Sequence, residues 1–243
     1  MRRVWLAMLT LPVVAAIAFP TTGTAHARTT MHTRTTAHAR TAARDASAAR
    51  GRSVADLQRR LNALHYYAGP DNGVLGDDTL EAVWAFQETQ GLPGENVVTQ
   101  AFWRALANPR APRVLVPRGG ADRIEINLGA EVLVLYHNNR PELISHVSTG
   151  GGYYYCSPGG GCGTAVTPTG DFHTLSYYPG WMQVPLGYMY NPVFFIGTAF
   201  AIHGDIPVPL QPVSHGCVRI PMDIAAFFHT LIRIPGTPVY IRR

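Results

Sequence analysis

Cys217 is the residue best placed to do covalent chemistry. It lies in Ser214-His215-Gly216-Cys217-Val218-Arg219, fourteen residues after His203 of a second His-Gly pair, His203-Gly204. The chain has three cysteines. Cys156 and Cys162 are close enough in sequence to pair, which leaves Cys217 as an odd thiol that needs an explanation. A nucleophilic thiol needs ionisation, a base within reach and donors for the developing oxyanion. With a pKa of about 8.5, a free cysteine is only a few per cent thiolate at neutral pH, and a neighbouring imidazole can take its proton. His215 is an awkward base, because side chains at i and i+2 of an extended segment point the same way but are well separated. His203 follows the apolar run Ala199-Phe200-Ala201-Ile202 and can arrive on a neighbouring strand. Gly216 permits an unusual backbone angle, so N–H groups around it can point at an oxyanion. Two rival readings exist. Cys217 can be a buried structural thiol, or His203, Asp205, His215 and Cys217 can form a metal site. His-x-Cys lacks the second ligand pair that structural zinc sites use, so no metal is expected.

The start of the chain reads as an export signal. Met1-Arg2-Arg3 is a basic n-region, Val4 to Phe19 an apolar h-region, and Ala25-His26-Ala27 a small-x-small cleavage pattern, giving a signal peptide over 1–27. An uncleaved N-terminal anchor is the alternative, and both place the body outside the cytoplasm, where disulfides persist. The net charge of +5 comes from 20 basic residues, all of them Arg. Residues 28–52 carry six Arg against one Asp, with almost nothing large and apolar, and read as a disordered Arg/Thr/Ala/His-rich linker. From residue 53 onward 12 Arg face 14 acids, so the body carries no basic excess and is not a nucleic-acid binder by charge. Contact with a membrane is expected only through the signal segment.

Residues 53–107 have the pattern of a small helical domain. Ser53 can cap a helix carrying Val54, Leu57, Leu61 and Leu64. Asp71-Asn72-Gly73 marks a turn. Asp77 or Asp78 can cap a second helix with Leu80, Val83, Trp84 and Phe86, which Gly91 would stop. Thr99 can cap a third with Phe102, Trp103 and Leu106. The Leu-Gln…Leu helix followed by D-x-G-x-x-G-x-x-T-x-x-A-x-x-x-F-Q, from Asp71 to Gln87, resembles the three-helix peptidoglycan-binding module of many cell-wall hydrolases. The resemblance implies a wall-glycan partner. Three Arg against seven acids leave such binding to polar and aromatic contacts, with Tyr66 and Tyr67 as candidates or as packing residues.

Pro109, Pro112 and Pro117 make 108–118 a stiff linker. Beyond it the apolar period becomes two. Ile124, Ile126 and Leu128 alternate with polar residues, Val132 to Tyr136 is a continuous apolar strand, and Asn138-Asn139 marks the turn before Leu143 to Val147. A mainly β domain over 119–243 is expected, with one helix near Asp223 to Ile232 and a last strand at Val239-Tyr240-Ile241. Ile202-His203-Gly204 followed by Ser214 to Arg219 resembles the catalytic motif of the L,D-transpeptidases, the YkuD-type fold. Thr167-Pro168-Thr169-Gly170 resembles that family's T-P-x-G strand entry, and Met189-Tyr190-Asn191-Pro192 resembles some actinobacterial-type members. The loop from His203 to Ser214 is shorter than in many members and holds Pro207, Pro209 and Pro212.

The resemblance implies Cys217 as nucleophile, His203 as general base, the Gly204 carbonyl as orienter of His203, and backbone amides of His215, Gly216 and Cys217 as oxyanion hole. Ser214 and Arg219 are implied in support; Arg219 either steadies the loop or binds a substrate carboxylate. Tyr190 and Asn191 are expected to contact substrate. The implied reaction releases D-Ala from a stem tetrapeptide through a thioester and forms a 3→3 cross-link with a second stem, in cell-wall biogenesis and cell shape. An L,D-carboxypeptidase and a non-catalytic wall-binding protein are the alternatives. No cofactor is expected, and a monomer is. Cys156 and Cys162 either form a disulfide that staples a glycine-rich loop or stay as two thiols. Tyr153, Tyr154 and Tyr155 of that loop either stack on substrate or pack beneath it.

Overall fold

The computed structural model describes residues 53–158 and 160–243. The expected signal peptide over 1–27 and the Arg-rich segment over 28–52 lie outside the described residues. Three helices come first: α1 (Val54–Ala63), α2 (Asp77–Gln90) and α3 (Gln100–Ala107). Ser53 Oγ accepts the Asp56 N–H at 3.1 Å and Thr99 Oγ1 accepts the Phe102 N–H at 3.2 Å, so both are the caps expected from sequence. The start of α2 differs from expectation. Its N-cap is Gly76, and Asp77 and Asp78 sit inside the first turn, where a carboxylate favours the positive end of the helix. Gly91 closes α2 at φ 68°, a left-handed angle that glycine adopts without a Cβ clash.

Two sheets follow. The first has the order β3-β2-β1-β12-β6, from β1 (Arg123–Asn127), β2 (Val132–His137), β3 (Arg140–His146), β6 (Gly170–His173) and β12 (Pro238–Arg242). The second runs β11-β10-β9-β7, from β7 (Ser176–Tyr177), β9 (Gly187–Ile196), β10 (Phe200–Gly204) and β11 (Val218–Ile220), with β8 (Trp181–Val184) also on β9. β4 (Tyr154–Cys156) and β5 (Cys162–Thr164) form a separate hairpin, closed by a Cys156–Cys162 disulfide. The expected C-terminal helix is shorter than read from sequence: α4 (Met222–Phe227) runs into a 3-10 turn at Phe228–Thr230.

Strand β2 explains its own unbroken apolar run. Side chains alternate across a strand, so Leu133 and Leu135 join Ile124, Ile126, Val193, Ile202, Val218 and Ile220 in the core between the sheets. Val132, Val134 and Tyr136 face the other way and join Ile144, Leu57, Leu61, Val83, Phe86 and Phe102 in a second core with the helices. A strand buried on both faces reads as continuous rather than alternating. The helices and the first sheet therefore share this second core across the segment read as a linker. That segment is itself tied down: the Leu115 and Val116 N–H groups donate to the Glu125 carboxylate at 2.6 and 3.3 Å. Arg123 and Glu125, whose alternation suggested a wet face on β1, are 3% and 1% exposed, paired at 2.7 Å. The Arg123 guanidinium also stacks 4.0 Å from the Tyr136 ring centre.

Candidate active site

β10 and β11 lie parallel, with His203 opposite Arg219 and Ile202 opposite Val218. This register brings the His203 strand beside the turn that carries Cys217, as a base from a neighbouring strand requires. His203 is buried, and its Nδ1 lies 2.9 Å from the Gly204 carbonyl. A carbonyl only accepts, so Nδ1 carries the proton and Nε2 keeps its lone pair. Burial pushes His203 below its ordinary value of 6.5; the Gly204 bond and the Asp205 charge oppose that shift, and Arg219 adds to it.

The Cys217 thiol is half-buried against Met189, Phe194 and Ala201, with Sγ 3.8 Å from the Ala199 carbonyl. Burial pushes the thiol up; a backbone hydrogen bond from Ala201 and the Arg219 charge pull it partly back. Both shifts favour uncharged partners. Burial thus works on both groups against the thiolate–imidazolium pair that sequence alone allows.

The turn between His203 and Cys217 is held from inside. Ser214 Oγ donates to the Cys217 carbonyl at 2.5 Å and accepts the Gly216 N–H at 3.0 Å. Gly216 has φ 139°, and a Cβ there would lie 2.7 Å from a Phe200 ring carbon and 2.9 Å from the Val166 carbonyl oxygen. The site therefore requires glycine both for angle and for space. The Gly216 N–H already has Ser214 Oγ as acceptor, so of the three amides expected to face an oxyanion it is the one held internally. Arg219 Nε lies 2.9 Å from Asp205 Oδ2, a charge contact off the hydrogen-bonding direction, and the Arg219 backbone exchanges two 3.1 Å bonds with Ser148. Its place in the structure is a brace between the loop after His203 and the strand after Cys217.

Asn191, expected to contact substrate, is held within the fold. It is buried, its Oδ1 accepts from the Gly180 N–H at 2.7 Å and the Tyr177 hydroxyl at 3.1 Å, and its Nδ2 donates to the Ala225 carbonyl at 3.1 Å. These three bonds tie it to the fold and leave one Nδ2 N–H without a protein acceptor among the described residues. Tyr190 sits half-buried opposite Gly204, its ring 5.2 Å from that of Trp181. Of the loop tyrosines, Tyr153 and Tyr155 pack edge-on to His215 at 5.4 and 4.7 Å, while Tyr154 stands 72% exposed. Tyr66 is buried, its hydroxyl 2.6 Å from Thr89 Oγ1, so packing accounts for it, whereas Tyr67 packs on Phe227 at 4.9 Å and stays 39% exposed.

Sequence reasoning missed the frame beneath the motif. Thr167 Oγ1 donates to the Gly216 carbonyl at 2.8 Å and accepts the Gly150 N–H at 2.9 Å. Thr149 receives the Ser214 N–H on its carbonyl at 2.9 Å and gives its own N–H and hydroxyl to Glu131 at 2.7 Å each. The T-P-x-G resemblance pointed at Thr167; nothing in local spacing pointed at Thr149 or Glu131. Among the described residues no cluster of His, Cys, Asp and Glu could hold a metal ion.

Comparison with known proteins agrees with this geometry. The family model for the L,D-transpeptidase catalytic domain matches residues 121–241, and one for a peptidoglycan binding domain matches residues 50–106. The crystal structure of an L,D-transpeptidase from Xylanimonas cellulosilytica is 32% identical, with a TM-score of 0.73 over 78% of this chain and 92% of that one. An L,D-transpeptidase structure from Stackebrandtia nassauensis is 16% identical, with a TM-score of 0.46 over 78% of this chain and 90% of that one. No curated protein matches. With the histidine and cysteine motifs on adjoining strands and a relative of this similarity along most of its length, the chain belongs to the L,D-transpeptidase family and carries a peptidoglycan-binding module ahead of its mainly β catalytic domain.

Proposed function

We propose that the protein is a cysteine acyltransferase that forms 3→3 cross-links in peptidoglycan. The observation that carries this reading is the set of groups on β10 and the turn before β11: an imidazole whose Nδ1 is fixed by the Gly204 carbonyl, on the strand paired beside the Cys217 turn. In the first half-reaction Cys217 Sγ attacks the carbonyl between the third residue of a stem tetrapeptide and its terminal D-Ala. His203 Nε2 takes the thiol proton as the bond forms, which suits two groups whose burial favours their uncharged forms. The His215 and Cys217 amides donate to the oxyanion. His203 then returns the proton to the leaving amine, D-Ala departs, and a thioester remains. In the second half-reaction the side-chain amine of another stem's third residue attacks the thioester and gives its proton to His203, and Cys217 leaves as thiolate and is reprotonated there. The thioester keeps the acyl group activated, so no nucleotide is consumed. Every group named comes from one chain, so one copy suffices.

Ser214, Thr167 and Arg219 hold this turn in shape. The module ahead of the catalytic domain supports wall glycan as its partner, and the export pattern over 1–27 supports action outside the cytoplasm. Incubation with a disaccharide tetrapeptide, followed by mass spectrometry, tests the reading. The expected products are free D-Ala, an acyl adduct on Cys217 and a cross-linked dimer. Tripeptide monomer in place of dimer would make the enzyme a carboxypeptidase. Release of D-Ala by Cys217→Ala at the wild-type rate would remove the nucleophile.

A further inference from the structure

The module meets the rim of the cleft at a second buried histidine. His146, at the end of β3, is fully buried. Its Nδ1 lies 2.9 and 3.1 Å from the two Glu88 carboxylate oxygens on α2, and its Nε2 lies 3.1 Å from the Pro209 carbonyl. Pro209 belongs to the proline-rich loop between His203 and Ser214. The same loop is held to the strap after β3, where Ser148 Oγ donates to the Gln211 carbonyl at 2.8 Å and accepts the Val213 N–H at 3.2 Å. The loop also touches the module directly, since a Cβ on Gly94 would lie 2.9 Å from the Leu210 side chain. Trp84 of α2 packs edge-on to the His146 ring at 5.4 Å.

We propose that the Glu88–His146–Pro209 chain is a proton-dependent latch by which the peptidoglycan-binding module positions the active-site rim. A neutral imidazole has one N–H, and here both ring nitrogens face an oxygen. Pro209 O only accepts, so a bond there puts the ring proton on Nε2. Nδ1 then bonds Glu88 only if one more proton is present, on the carboxyl or on the ring. Without that proton the ring chooses. With its N–H on Nε2 it sets a lone pair against a carboxylate, and with its N–H on Nδ1 it sets a lone pair against the Pro209 carbonyl. One of the two links is lost in either case.

The charged groups facing the ring are Glu88 from α2 and Glu131 from the β1–β2 turn, both pushed up chiefly by burial, Glu88 to about 7. Arg110 and Arg113 line the cavity on the other side of Glu88. Glu88 binds its proton more tightly in the folded seam than in the unfolded chain. The full latch is therefore present below the ordinary carboxyl range and is lost as pH rises through about 7. His146 touches no reacting atom. It is a positioning residue, and its effect on turnover rests on the function proposed above.

The decisive variant is Glu88→Gln. An amide NH2 donates to Nδ1 while Nε2–H donates to Pro209, so the latch closes with no extra proton at any pH. The full chain is labelled with 15N-histidine, and the His146 signals are identified by their loss in His146→Phe. As Glu88 loses its proton through about pH 7 these signals move in the wild type, and in Glu88→Gln they stay flat. In tetrapeptide turnover, KM of the wild type rises about fivefold over Glu88→Gln on the alkaline side, the factor of one hydrogen bond, with kcat within about twofold. His146→Phe shows the raised KM throughout. Wild-type signals that do not titrate, or a titration and KM profile that Glu88→Gln leaves unchanged, would overturn the latch. If no turnover is found at all, the proposed function fails, and the ring signals still decide the latch.

Discussion

Two buried histidines, one in the cleft and one in the seam, differ by one acceptor. His203 in the cleft gives Nδ1 to the Gly204 carbonyl, and no second protein acceptor meets its ring among the described residues. His146 in the seam between module and catalytic domain has oxygen against both nitrogens. The first arrangement leaves a fixed lone pair, which is what a base needs. The second uses up the ring, which is what a strut needs. Burial alone does not tell a catalytic imidazole from a structural one; counting the acceptors around it does.

The strongest way to break that contrast is at the cleft. Cys217→Ala is expected to abolish acyl-enzyme formation. His203→Gln should lower kcat/KM by about 10²–10⁴-fold, the usual worth of a positioned base. A loss of the same size in His146→Gln would erase the distinction between base and strut. The base form of His203 should also persist below its ordinary value of 6.5, because burial disfavours the charged ring. The acid limb of kcat/KM against pH is expected below that value, and a limb above it would contradict the assignment.

The seam gives the next effect. Ile144 is 2% exposed, packs with the helices, and its N–H donates to the His65 carbonyl at 2.8 Å. Ile144→Ala should cost about 2–5 kcal/mol in denaturant unfolding, in one transition that takes both parts together. Two separate transitions would mean the shared core is weaker than its packing. Thr167→Val keeps the shape and removes the hydroxyl that joins Gly150 to Gly216. It is expected to slow acylation of Cys217 by a β-lactam about tenfold, followed by intact mass, at a cost of about 1–3 kcal/mol for the unpaired groups. Glu81 gives the smallest effect. Burial first, and then Asp223, Asp77 and Asp78, push it up to about 8. Its folded-state value lies above its unfolded one, so its contribution is favourable in acid and is lost as pH rises through about 8. Glu81→Gln should raise Tm by about 2–4 °C on the alkaline side and change little in acid.

The parts legible in sequence were those written in local patterns. The caps at Ser53 and Thr99, the Gly91 stop, the period-two strands and the two His-Gly motifs each depend on residues a few places apart. The disulfide pair was legible as one of two options. What stayed hidden depends on contacts between distant segments. Arg123 and Glu125 looked like a wet face because the linker that covers them has no pattern of its own. The Ser214 acceptor that occupies the Gly216 N–H is two residues away, yet its orientation comes from the turn geometry. Glu88 reaches His146 across 58 positions, and no spacing rule could have paired them. Asn191 carries the residue type of a binding group and the duties of a scaffold.

Strand β2 has an evolutionary consequence. Leu133 and Leu135 answer to the transpeptidase core while Val132, Val134 and Tyr136 answer to the module, within five consecutive residues. The boundary at which two families meet in this sequence is therefore not a boundary of folding. A wall-binding module held on a string can be traded for another by recombination at the string. Here a trade would uncover an apolar face of the enzyme, so an incoming module would have to bring a matching apolar face as well as its own binding specificity.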